Sequence, residues 1–296
     1  AYVRRCIGQK REHSARETRG ICGEKHMNAD ENRAKLAEIV RNTRVFLLDM
    51  DGTVYIEDEL IGDMKNTLSA LRRAGKRLVY CTNNSSKTAE EYQKKLARLG
   101  IWSEEDLVYT SGIATAEYLK EFYPGKRVYL VGTDALKGEF SDAGIALAEE
   151  DADVGVLAYD TTLTFEKLVK LNRMIVKGRP YIATHPDAVC PAKDVFPPDV
   201  GSFIELLHCS SGKYPDVICG KPYKVMGERI ARRLGVAAKE ICMVGDRPHT
   251  DIGFVIHNQI AGELVLSGEP GTVGVVGTPV RAGAVADSLN SLTVFL

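Results

Sequence analysis

From Arg44 onward the chain alternates short, continuous apolar runs with longer segments in which apolar residues return every three to four positions. The short runs predict strands over residues 45–48, 77–81, 107–109, 128–131, 154–158, 181–183, 217–219, 241–244 and 264–266. Strands that are apolar on both faces and separated by helices belong in a parallel sheet covered on both sides, so the fold class is α/β. One helix is expected over residues 64–74, with Asp63 at its N-cap and Gly75 just past its end. A second starts at Thr88, whose partner Glu91 completes a capping box, and stops before Gly100. Residues 268–283 are rich in Gly and Val and read as loop plus edge strand. The chain has no internal repeat.

Residues 1–43 form a different texture. Up to about Asp30 they mix Arg4, Arg5, Lys10, Arg11, Arg16, Arg19 and Lys25 with Glu12, Glu17 and Glu24, without an apolar period, and are read as a polar tail. The chain opens on Ala1, and Met27 is read as a candidate natural start, which a mass spectrum of native protein beginning well before Met27 would reject. Cys6, His13, Cys22 and His26 offer four zinc-ligand types, but their spacings match none of the usual sites, so the reading without a metal is favoured.

Composition narrows the function. Hydrophobic residues make up 44% of the 296 positions, enough for a sizeable core. With a formal net charge of -1 there is no global basic field, which argues against a nucleic-acid polymer or a membrane surface as partner. Seven cysteines without a C-x-x-C pair argue against a disulfide framework, no apolar stretch approaches the roughly 18 residues of a bilayer span, and the first residues given lack the apolar core of a secretory signal. A cytoplasmic protein that binds its anionic ligand locally is expected.

Four strand ends carry the chemistry. The run Val45-Phe46-Leu47-Leu48 stops in Asp49-Met50-Asp51-Gly52-Thr53, and the i, i+2 spacing sends both acids to one side. Ligands of open α/β sheets bind beyond the carboxyl ends of the strands. Paired there, Asp49 can attack phosphorus while Asp51 gives a proton to the leaving alcohol and later activates water. A calcium loop is the competing reading, but Val54 and Ile56 break its ligand spacing and position 60 is Leu60. The second segment, Thr82-Asn83-Asn84-Ser85-Ser86, brings hydroxyl, amide and backbone donors to a strand-to-helix junction suited to phosphate oxygens. In the third, Gly220-Lys221-Pro222, the lysine can offset the charge shared by Asp49 and a phosphoryl group, with Pro222 expected in the first turn of a helix. In the fourth, Gly245-Asp246-Arg247-Pro248-His249-Thr250-Asp251, Asp246 is the expected ligand of Mg²⁺, and Asp251 either supports it from behind or caps a helix.

In this order the segments resemble the four motifs of haloacid dehalogenase-like phosphatases, over residues 44 to about 268, and within them the subgroup of NagD-type nucleotidases, 4-nitrophenylphosphatases and phosphoglycolate phosphatases. The resemblance implies a Rossmann-like core of residues 44–115 and 215–296 with an inserted α/β cap over 116–214. It also implies Asp49 as nucleophile and metal ligand, Asp51 as acid/base and ligand through its carbonyl, Asp246 as third ligand, Lys221 as charge clamp, and Thr82, Asn83 and Asn84 as phosphate or substrate contacts. Mg²⁺ is the implied cofactor, a small phosphorylated metabolite the partner, and the cap surface leaves oligomerisation open.

The chain departs from relatives in several places. Thr184-His185-Pro186-Asp187 replaces a T-N-x-D string in the cap, Cys190 stands where some relatives place a substrate-contacting histidine, and Val255 and Gln259 stand where glycine is common. His185, Asp187 and Cys190 are expected near the substrate. A phosphotransferase or mutase on the same fold, and an idle protein that senses a phosphorylated metabolite, are the alternatives to hydrolysis.

Overall fold

A computed structural model describes residues 29–190, 196–268 and 283–296. The chain runs α1 (Ala29–Asn42), β1 (Val45–Leu48), a hairpin of β2 (Tyr55–Ile56) and β3 (Glu59–Leu60), α2 (Met64–Arg73), β4 (Arg77–Thr82), α3 (Ala89–Arg98), β5 (Leu107–Thr110), α4 (Ser111–Phe122) and β6 (Val128–Val131). It continues through α5 (Asp134–Asp142), β7 (Val154–Leu157), α6 (Phe165–Val176), β8 (Tyr181–Ala183), α7 (Val200–Ser211), β9 (Val217–Ile218), α8 (Lys224–Leu234) and β10 (Ile241–Gly245). A π-helical turn (Pro248–Ile252), α9 (Gly253–Asn258), β11 (Ala261–Val265), β12 (Gly283–Ala286) and a final 3₁₀ segment (Leu289–Phe295) complete the described chain.

Two parallel sheets result. The larger has the order β12-β11-β10-β1-β4-β5, and the smaller β6-β7-β8-β9. β1 and β10 lie side by side in the middle of the larger sheet, fully buried, so the acids that follow them emerge at one edge. One apolar cluster includes Val79, Met243 and Ile230 together with Val128, Val156 and Ile182, so the two sheets share packing. The Thr88–Glu91 capping box forms as expected, with the Glu91 backbone N–H donating to Thr88 Oγ1 at 3.2 Å and the Thr88 N–H donating to Glu91 Oε2 at 2.8 Å.

Several expectations change. Residues 29–42, assigned to the tail, form α1, because Leu36, Ile39 and Val40 recur on one face and bury against the larger sheet and the final 3₁₀ segment. The possible start at Met27 and the Cys6, His13, Cys22 and His26 set lie outside the described residues. Residues 217–218, expected to open the returning core, pair with β8 and close the smaller sheet, while α4, which straddles the expected boundary between residues 115 and 116, packs on β5 and α8. Pro222 precedes the helix: Tyr223 is the N-cap of α8, and the Lys221-Pro222 peptide is cis. Asp63 occupies the N-cap position of α2, but its carboxylate accepts from the Asn66 side chain and not from the helix backbone.

The last strand expected before residue 268 starts three residues early, because Gly262 and Glu263 disguise it. Gly262 leaves room for the Val255 side chain, which a Cβ would strike, and this is how the valine is accommodated where relatives often have glycine. Gln259 closes α9 at φ 53°, the left-handed conformation that glycine adopts without strain.

Glu263 is the least expected core residue. It sits in register between Val244 and Ala284, is 0% exposed, and neither carboxylate oxygen has a hydrogen-bond partner. Burial raises its pKa well above the ordinary 4.5, so above the ordinary carboxylate range folding takes up protons at this site. Because the folded value is raised, the destabilisation is absent below about pH 4.5 and grows as pH rises toward the folded value. Glu263→Leu is expected to stabilise the protein by roughly 1–3 kcal/mol at pH 7. Thermal melts of both proteins from pH 4.5 to 8 should show the gap widening with pH; a constant or narrowing gap would contradict this reading.

Candidate active site

The carboxyl ends of β1, β4 and β10 meet the turn after β9 around one cleft of about 190 Å³, and its lining includes Asp49, Asp51, Thr82, Asn83, Asn84, Asp187, Cys190, Lys221 and Asp251. Lys221 is the pivot. Its side chain is 1% exposed, and its ammonium donates to Asp49 Oδ1 at 2.6 Å and to Asp251 Oδ1 at 2.7 Å. Burial on its own would lower the lysine's pKa, but Asp251 and Asp49 outweigh it and hold the group charged far into the alkaline range.

Carboxylate oxygens of Asp49, Asp246 and Asp251 lie within 4.8 Å of one another. Burial and the neighbouring charges of Asp49 and Asp251 push Asp246 well above the usual carboxylate range, and its Oδ1 is buried without a hydrogen-bond partner. Asp251 is raised too, since burial and Asp49 exceed the opposing effect of Lys221. Three crowded acids with one orphaned hard oxygen fit a small divalent cation such as Mg²⁺. The backbone closes around this group. Gly52, at φ 90°, and Gly268 both face Asp246, and a Cβ at either would overlap its carboxylate. Ser267 Oγ donates to the Gly52 carbonyl at 2.9 Å and ties this loop to the turn after β1.

Asp251 is thus no N-cap: α9 begins two residues later, and the Asp251 carboxylate accepts from Lys221 and from the Arg247 N–H. The acid/base candidate Asp51 is not among the hydrogen-bond partners of Lys221. Burial raises its pKa, Lys95 lowers it, and Asp49 raises it further, with smaller opposing effects from Arg247 and Lys87.

Thr82 accepts from the Asn84 N–H at 3.1 Å, which shapes the loop after β4. Asn83 is committed to the protein: its Oδ1 accepts from the Lys221 N–H at 2.8 Å, and its Nδ2 donates to the Lys221 carbonyl at 2.8 Å and to Asp187 at 3.2 Å. Its amide therefore clamps the lysine turn, a role not visible in a Thr-Asn-Asn string. Asn84 Oδ1 accepts from the Ser86 N–H and hydroxyl, and its Nδ2 faces Cys190 Sγ at 4.0 Å.

The expectation that His185 touches substrate is corrected. The ring is 0% exposed, with Nδ1 2.9 Å from Thr184 Oγ1 and Nε2 3.0 Å from Asp199 Oδ1. Ser111 Oγ lies 3.4 Å from the same Nδ1 and donates to the Asn83 carbonyl, so His185 braces the smaller sheet against the loop after β4. Cleft residues that the motifs did not assign are Lys87, Tyr92, Lys95, Arg247, Thr250 and Asp199. Arg247 and Thr250 stood inside the fourth string without a role, and the others lie outside the motif strings.

Two family models match the chain, one for haloacid dehalogenase-like hydrolases over residues 46–146 and one for HAD-like hydrolases over 218–292. An acid sugar phosphatase of Staphylococcus aureus is 33% identical over 214 residues, which span 72% of this chain and 82% of the relative. The crystal structure of a 4-nitrophenylphosphatase from Thermotoga maritima superposes with a TM-score of 0.82 at 38% identity, covering 86% of this chain and 98% of that one. A glycerol phosphate phosphatase from Mycobacterium tuberculosis, crystallised with magnesium, matches at TM-score 0.78 and 29% identity over 86% of this chain and 78% of its own.

Proposed function

The chain belongs to the haloacid dehalogenase-like hydrolases and is a phosphatase, and from this premise we propose that it hydrolyses small phosphate monoesters with Mg²⁺ through an aspartyl-phosphate on Asp49. The observation that carries the proposal is the convergence of Asp49, Asp246, Asp251 and Lys221 at the carboxyl ends of β1 and β10. A cleft of about 190 Å³ suits a phosphoryl group on a small alcohol.

An Asp49 carboxylate oxygen attacks phosphorus while the bond to the leaving oxygen breaks, and Asp51 gives that oxygen its proton. Burial raises the pKa of Asp51, which favours its protonated form beyond that of an ordinary carboxyl and supports the acid role. In the second half-reaction Asp51 takes a proton from water, whose oxygen attacks phosphorus; inorganic phosphate leaves and the Asp49 carboxylate is restored. Lys221 holds Asp49 at a fixed angle and offsets the charge gathering around it. The side chains of Asp49 and Asp246 and the Asp51 carbonyl would hold Mg²⁺, with Asp251 behind them. When bound, the ion supplies positive charge opposite the phosphoryl oxygens.

None of the five described cysteines forms a disulfide, which supports a cytoplasmic setting, and among the described residues no helix is long and apolar enough to cross a membrane. The test is phosphate release from a panel of phosphorylated metabolites. Turnover in Mg²⁺ buffer that falls more than tenfold in excess EDTA, and returns on adding Mg²⁺, is the expected result. Saturable binding of such metabolites without phosphate release would favour a sensing protein.

A further inference from the structure

Resting on the phosphatase reading, we propose that the alcohol portion of the natural substrate carries a second anionic group, held by Lys95 and Lys87 on the Asp51 side of the cleft. Asp51 meets the leaving oxygen, so whatever surrounds Asp51 surrounds the leaving group. Lys95, Arg247 and Lys87 are the cations that act on its carboxyl, and all three line the cleft.

Apart from Asp51, Lys87 and Lys95, the charges lining the cleft have close partners. Asp49 and Asp251 share Lys221. Asp187 accepts from Asn83 and lies 3.8 Å from Arg247. Asp199 is bound to His185 and to the Val200 N–H. Lys87 and Lys95 form no ion pair: among the described residues neither ammonium is within 4.0 Å of a carboxylate oxygen, and Lys95 feels Asp51 and, more weakly, Asp58 without touching either.

The two lysines are also differently held. Lys95 projects from α3 half-buried, with its ammonium 3.7 Å from the centre of the fully buried Tyr55 ring. A cation over an aromatic face is fixed in place and partly stripped of water, and it gains most from an anion that replaces that water. Lys87 precedes the cap residue of the same helix and is exposed at the rim, where it gives a second, looser positive charge. A neutral leaving group would leave the two lysines only the Asp51 carboxyl to share. A carboxylate or a further phosphate, a few bonds from the scissile oxygen, would meet both.

The experiment compares kcat/KM for phosphoglycolate and ethylene glycol bisphosphate with that for ethyl phosphate, which has the same reacting ester and no second charge. The wild-type enzyme is expected to favour at least one of the two charged esters by about tenfold or more. Lys95→Gln should lower that ratio by about tenfold, and Lys87→Glu, a reversal at an exposed position that leaves packing untouched, should lower it further than Lys87→Gln. The ratio cancels any general loss of activity in a variant. Equal kcat/KM for charged and uncharged esters, or a ratio unmoved by all three variants, overturns the inference while the phosphatase reading stands. No turnover of any ester in Mg²⁺ buffer overturns both.

Discussion

Asp49→Asn is expected to lower the rate of phosphate release by roughly four orders of magnitude or more, because an amide oxygen cannot form the covalent intermediate. The fold should survive the change. Asp49 Oδ1 contributes one of two carboxylate acceptors to Lys221, and Asp251 retains the other at 2.7 Å. Removing the Asp49 charge also relieves the repulsion that raises Asp246 and Asp251. The variant should therefore melt close to the wild type while losing turnover. A dead enzyme with an unchanged melting profile separates loss of the nucleophile from loss of the fold; wild-type hydrolysis by the variant would reject Asp49 as nucleophile.

Lys221→Met is expected to damage both stability and activity. The ammonium is buried between two carboxylates, and deleting one member of such a group leaves uncompensated charge, at a cost of about 3–5 kcal/mol. Turnover should fall by about 10²–10³ if the protein is assayed while still folded. The pH dependence gives a separate signature. Without the lysine, Asp251 loses the partner that opposes burial, so folding would take up protons and stability would fall as pH rises above the ordinary carboxylate range. In the wild type, Lys221 itself has a folded pKa above its ordinary 10.5, so its own contribution is present below that value and is lost only in strong alkali. Melts of the two proteins between pH 5 and 8 check the sign: a variant that becomes more stable with rising pH would contradict it.

How much of this was legible in the sequence depended on whether a residue's role is set by its strand or by distant neighbours. β1, β6 and β8 have the expected bounds, since continuous apolar runs between turns leave little choice. The acids after β1 and β10 were readable because strand direction alone puts them at one edge. β11 was misplaced because a buried, unpartnered glutamate contradicts the ordinary pattern of a strand interior. α1 was hidden by its many charged residues, which mask a face of only three buried side chains.

The role of Asn83 was beyond reach, because its partner Lys221 lies 138 positions away and the bonds run to backbone atoms. His185 was misjudged for a related reason: its partner Asp199 lies 14 residues on, and only the folded chain shows the ring sealed from the cleft. Lys95 carries no local sign of function. It becomes notable only once the hairpin places Tyr55 beneath it.

The most direct test of the central claim is to quench the enzyme with borohydride during turnover of 4-nitrophenyl phosphate in Mg²⁺ and to sequence the peptide spanning Val45–Leu48 and the acids that follow. An acyl phosphate on Asp49 would be reduced to homoserine at that position, and this is the expected result. Turnover that proceeds with Asp49 unmodified, or a homoserine at Asp51 or Asp246 in its place, would contradict it.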